Sequence, residues 1–156
     1  NAYSSQGKRD AALAEFERAA ELQPGYPQAH LYLAIEYALR RQEARAAGAA
    51  RHFFAPFMPG PVADSLAAEL PRVFMGNGDP VVMAARTSKW LRIGHHEVVA
   101  MVFGVRGMSD SAFARLNAAV DERSGLVLPT LGYLRPTLVG DPRWRVLMAR
   151  LQEPRR

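Results

Sequence analysis

Residues 3–24 read Tyr-Ser-Ser-Gln-Gly-Lys-Arg-Asp-Ala-Ala-Leu-Ala-Glu-Phe-Glu-Arg-Ala-Ala-Glu-Leu-Gln-Pro. Tyr3 stands four residues before Gly7. Ala12, Phe16 and Ala19 follow at spacings of four and three, and Pro24 closes the stretch. Those spacings place the three side chains on one face of a helix. The alanines admit a neighbouring helix closely, and the Phe fills the gap beside them. The stretch predicts the last turn of one helix, ending near Gln6, and a second helix capped by Asp10 that runs to about Leu22. Pro24-Gly25 breaks it.

The pattern recurs. About 34 residues on, Leu33, Ala34 and Tyr37 close another helix, and Ala46 stands where Ala12 stood. Further on come Val99, Ala100, Phe103, Gly107, Ala112, Leu116 and Ala119. Tyr3 and Gly7 match Phe103 and Gly107, and Ala12, Phe16 and Ala19 match Ala112, Leu116 and Ala119, all by one common shift. Between these copies lie Leu66, Ala67 and Leu70, at the spacing of Leu33, Ala34 and Tyr37. That middle copy is degenerate, since Asp79 falls where the small alanine belongs and its second helix starts late, at Pro80.

These residues resemble the tetratricopeptide repeat family, whose pattern runs Trp, Leu, Gly and Tyr on a first helix, then Ala, Phe, Ala and a closing Pro. The first copy carries Tyr3, Ala12, Phe16, Ala19 and Pro24. The second departs at Ala50, where Phe is usual, and at Phe53, where Ala is usual; the last has Ser124 in place of the proline. The resemblance covers about residues 1–124. It implies an all-α fold, a superhelix of antiparallel helix pairs. The repeats would span about 1–26, 27–59, 60–94 and 95–125, followed by an extension and capping helix over 126–156, all in a single domain.

Composition is that of a globular chain: 156 residues, 49% hydrophobic and 22% charged. The absence of cysteine excludes disulfides and thiolate metal sites. No apolar run approaches the roughly 18 residues of a membrane span, and no signal peptide is present, so a cytoplasmic location is expected. Asn1 begins part-way through a helix, so the chain reads as a fragment of a longer protein. The net charge of +5 raises nucleic-acid binding as a distant alternative. Arginines are spread among acids, with one local excess at Arg143, Arg145, Arg150, Arg155 and Arg156.

Other boundaries follow from turn residues. Helices are expected over about 27–40, 43–54, 62–70, 80–92, 95–105 and 110–123. Pro71 should bend or end the third of these, and the Gly76-Asn77-Gly78 turn precedes an Asp79-Pro80 cap. Leu126-Val127-Leu128-Pro129 reads as extended, and Pro136 and Gly140 argue against a helix before Asp141-Pro142. A last helix then carries Trp144, Leu147, Met148 and Leu151 on one face and would cap the array. Glu122-Arg123-Ser124, Leu126-Val127 and Asp141-Pro142-Arg143-Trp144 with Leu147 also resemble the close of many bacterial signalling proteins, in which a tetratricopeptide array follows a DNA-binding, cyclase or kinase domain. That resemblance implies a regulatory C-terminal part.

Catalytic signals are weak. His95-His96-Glu97 are adjacent on a helix and point about 100° apart, which suits packing better than one shared ion. Gly76-Asn77-Gly78-Asp79 lacks the spacing and the Lys-Ser/Thr of a phosphate loop. Ser109 and Ser111 have no nearby His as base. No enzyme activity, metal or cofactor is therefore expected. In the family resembled, the first helix of each repeat lines a concave groove. Gln28, Leu31, Tyr32, Ile35 and Leu39, with Glu97, Met101 and Val105, are the expected groove residues. Leu31 and Ile35 occupy positions where some relatives clamp a peptide carboxylate with Lys and Asn, and Asn1 holds the corresponding Asn position of the first copy. The apolar groove suggests an apolar protein or peptide segment as partner. A structural or homodimerising segment is the alternative reading.

Overall fold

Asp79 and Asp141 open two helices in the same way. The Asp79 carboxylate accepts the backbone N–H groups of Val81 at 2.9 Å and Val82 at 3.3 Å. That of Asp141 accepts the N–H of Arg143 at 2.9 Å. Proline follows each cap, where its missing N–H is no loss. The computed structural model describes residues 2–92 and 94–153, with side chains from Gly7 onward. Among them the chain is all-α. The helices are α1 (Ala2–Leu22), α2 (Pro27–Leu39), α3 (Glu43–Phe54), α4 (Gly60–Phe74), α5 (Pro80–Trp90), α6 (His95–Val105), α7 (Ser109–Asp121), α8 (Val127–Leu138) and α9 (Pro142–Leu151), with a 3-10 turn at Ala55–Phe57. They pack as two compact units, residues 1–78 and 79–156.

In the first unit each helix runs back along its predecessor. Along α2, His30 donates to the Pro24 carbonyl at 2.9 Å, Tyr32 stacks on Phe16 at 5.1 Å, and Glu36 and Arg40 pair with Arg9 and Asp10 at 3.4 and 2.6 Å. The partners descend α1 as α2 ascends, so the pair is antiparallel. His30 stacks on His52 at 4.9 Å while Tyr37 accepts from Arg45 at 3.2 Å, which sets α3 antiparallel to α2. Arg51 pairs with Asp64, and Arg72 with Glu43 at 3.3 Å, which does the same for α4. α2 also packs on α4. Touched by three helices, α2 buries ten consecutive residues, Ala29–Ala38.

The second unit also encloses one helix. α6 packs on α5, α7 and α8 and buries eight consecutive residues, Glu97–Gly104. A helix apolar all round belongs in an interior. α9 lies along α7 and parallel to it. Arg143 pairs with Asp110 at 2.6 Å and sits 4.7 Å over the Phe113 ring, and Arg150 reaches both Asn117 and Asp121 further along. The predicted face of α9 turns inward: Trp144 and Leu147 are buried, Met148 and Leu151 half-buried.

Three expectations are corrected. The described residues before Asp10 do not form a separate helix, because α1 runs unbroken through Gly7. A helix-interior glycine costs about 1 kcal/mol, and no proline or left-handed residue follows to enforce a break. Gly107, its sequence counterpart, takes φ +73° and does end its helix. The stretch before Asp141 is helical as α8. Pro129 falls in the first turn, where backbone N–H groups lack intrahelical partners, and Pro136 in the last turn forfeits one bond, at roughly 3 kcal/mol. Burial of Val127, Leu131, Leu134 and Leu138, at about 1.5–3 kcal/mol each, outweighs that loss. The same reasoning carries α4 through Pro71, itself buried, to Phe74.

Candidate functional site

The expected groove residues fall in both units. In the first, Leu31, Tyr32 and Ile35 are interior side chains, Ile35 with 1% of its surface exposed. Phe16 of α1 covers Tyr32. Gln28 is half-buried and its side chain accepts from the Tyr26 hydroxyl; Leu39, at 40%, is the exposed member of the set. In the second unit Glu97 and Met101 are buried and Val105 half-buried. As reachable groove walls, Leu31, Tyr32, Ile35, Glu97 and Met101 are corrected to core positions, because the helix that carries them is enclosed by three others. The hydrophobicity of both helices on every side is the sequence signal for this. Asn1, Arg155 and Arg156 lie outside the described residues.

One charged cluster, around Glu36, has no counterpart in the sequence analysis. The Glu36 carboxylate is buried, with Arg9 at 3.4 Å and Arg40 at 3.8 Å. Arg40 in turn reaches Asp10. A buried carboxylate without such partners would be costly, so these contacts tie α1 to α2. Beside them Tyr37 donates to Glu17 at 3.0 Å. Its hydroxyl is pushed above its ordinary range, first by burial and then by that carboxylate.

In the second unit His96 is a structural side chain. Its Nδ1 accepts from Arg115 at 3.3 Å and its Nε2–H donates to Glu122 at 3.0 Å, which links α6 to the end of α7. His95 and Glu97 differ from it. Glu97 Oε1 and His95 Nδ1 are buried without a partner among the described residues, as are Thr87 Oγ1 and Ser88 Oγ on α5. All four belong to the end of the α5–α6 pair where the chain turns. Glu97 is three residues into α6, where the positive end of the helix favours a carboxylate, and its Oε2 lies 3.9 Å from the position of a Cβ on Gly94. Among the described residues no group of three or more His, Cys, Asp or Glu side chains converges as a metal site.

No family model, curated protein or solved structure matches the chain. Functional reading therefore rests on geometry. No helix among the described residues is long and apolar enough to cross a membrane. The units also differ in charge. Residues 1–78 carry eight Lys and Arg against eight Asp and Glu, and residues 79–156 carry twelve against seven. The entire +5 excess thus belongs to the second unit.

Proposed function

We propose that the chain is a tetratricopeptide-like helical-repeat module that binds protein segments, acting as a regulatory part of a bacterial signalling or transcription-regulating protein. The observation that carries this reading is the relation of α7 to α9. Asp110 and Arg143, and Asn117 and Arg150, are contact pairs one repeat length apart on parallel helices. Parallel packing of equivalent helices at one repeat spacing is what stacking of like units produces. The stretch after Ser124 is then a further copy in the array. The bacterial signalling context rests on the resemblance of the tail.

Binding falls to side chains that remain accessible. On α2 these are Gln28 and Leu39, with Leu22 and Tyr26 exposed at the adjoining turn; on α6 it is Val105. The partner is a protein or peptide with an apolar segment. The rival is a structural or self-associating segment, favoured by the enclosure of Leu31, Ile35 and Met101. Affinity capture from source-cell lysate, with wild type and Leu39→Glu as baits, separates the two. A partner held by wild type and lost by Leu39→Glu supports binding at α2. No partner, with a mass that rises with concentration, contradicts the binding reading and favours self-association.

A further inference from the structure

α8 buries one face and leaves the other open. Val127, Thr130, Leu131, Leu134 and Leu138 turn into the second unit. Leu128, at 69% exposed, and Val139, at 47%, stand on the outer face with Gly132 and Arg135 between them. At 100° per residue these four fall within about 60° of arc, along about 16 Å of helix. Pro129 and Pro136 lie along one side of the stripe and are exposed as well. A Cβ built on Gly132 would meet nothing within 4 Å, so another helix can approach closely there. No helix of the second unit covers this face, since α8 packs on α6 and α7.

The stripe's one charge decides the occupant. Arg143 and Arg150, on the neighbouring helix, are committed to Asp110, Asp141 and Asp121. Arg135, like Arg145 on α9, has no ion-pair partner among the described residues; it stands between Leu128 and Val139, on a unit that carries the chain's whole positive excess. The fold joins its own helices by Arg–carboxylate pairs across the seam: Arg51 with Asp64, Arg72 with Glu43, Arg143 with Asp110. Helix-on-helix recognition rests on apolar anchors spaced along one face, and a matched charge adds specificity and register.

We propose that the outer face of α8 docks an acidic amphipathic helix from a protein partner, with its apolar side chains on Leu128 and Val139, its backbone close to Gly132, and a carboxylate on Arg135. The proposal rests on the interaction reading above and places a site for it outside α2.

The test uses the full chain and two labelled helical peptides of about 18 residues. Both carry leucines on one face; one carries glutamates along its edge and the other lysines. Fluorescence anisotropy is expected to show binding of the glutamate peptide only. Arg135→Glu should weaken it about tenfold or more and admit the lysine peptide. Gly132→Leu should weaken it by blocking close approach. Positions 128, 132 and 135 are all exposed, and circular dichroism checks that variants there fold. Equal affinity for both peptides, or indifference to Arg135→Glu, overturns the proposal. So does a wild-type dimer that Leu128→Asp makes monomeric, which would assign the face to a second copy. A partner captured from lysate equally by wild type and Arg135→Glu would leave the interaction reading standing while removing this site from it.

Discussion

Gly104→Ala is the sharpest single perturbation of the packing in the second unit. Gly104 lies on α6, fully inside the second unit, where α8 crosses it. A Cβ at this position would overlap Leu134 Cδ2, with Leu134 Cγ at 3.4 Å and Cδ1 at 3.6 Å. Leu134 is itself buried, so its methyls cannot swing into solvent. Overpacking of this kind costs about 1–3 kcal/mol. Alanine for glycine inside a helix returns about 1 kcal/mol. The net expectation is a loss of up to about 2 kcal/mol, and for a chain of this size Tm falls by about 2–4 °C per kcal/mol. The decisive comparison is a double-mutant cycle by thermal or urea unfolding. Leu134→Ala alone should cost about 2–5 kcal/mol. In that background the clash is gone, so adding Gly104→Ala should stabilise, by about 1 kcal/mol from helix propensity alone. The sign of the Gly104 effect thus reverses with the residue at 134. Stabilisation by Gly104→Ala in the wild-type background would refute the α6–α8 contact and with it the helical reading of the tail.

Three further predictions test other elements. Gly7→Ala and Gly107→Ala should have opposite signs although the two glycines occupy matching sequence positions: Gly7 is inside α1 with open space around it and should gain about 0.5–1 kcal/mol, whereas Gly107 has φ +73° and should lose about 1–2 kcal/mol. Equal effects in urea melts would contradict the continuous α1. Ala112→Leu, at a position with no exposed surface, should overpack and cost about 1–3 kcal/mol, while Ala12→Leu, at a half-buried site on α1, should cost clearly less. Asp141 is held at a pKa of about 2, first by its side-chain hydrogen bond to Arg143 and next by the Arg143 N–H. A depressed carboxylate pKa means stability present above the ordinary carboxylate range and lost as pH falls from about 4 toward 2. The α9 amide signals should therefore fray over that window in an NMR titration, and Asp141→Asn should remove the dependence. A midpoint near 4 for Asp141 would count against the Arg143 contact.

The repeat signature made α2, α3, α6 and α7 legible to within a residue or two, because Ala34, Ala46, Ala100 and Ala112 sit at close helix contacts and are all buried. What escaped was set by interactions that local rules do not weigh. Gly7 and Pro136 suggest breaks, but a helix continues through each; for α8, burial of one whole face exceeds the loss of a backbone bond. In the tail, Pro136 and Gly140 argue locally against a helix before Asp141, while the apolar face of the last helix is legible and does bury Trp144 and Leu147. The groove assignment followed the family pattern onto α2 and α6. The run Ala29–Ala38, apolar on all sides but for His30 and Glu36, already marked an enclosed helix. The links from Glu36 to Arg9 and from Arg40 to Asp10 are not readable in the sequence, since residues so far apart meet only once the α1–α2 register is known.

The proposed stacking of like helices at one repeat spacing requires α9 to lie parallel to α7. The cysteine-free chain allows clean pairwise nitroxide labelling at 110 with 143, 121 with 150, 110 with 150 and 121 with 143. Electron-spin distance measurements should give short separations for the first two pairs and longer ones for the last two. Short distances for 110 with 150 and for 121 with 143, and long ones for the others, would mean an antiparallel α9 and would contradict the repeat account.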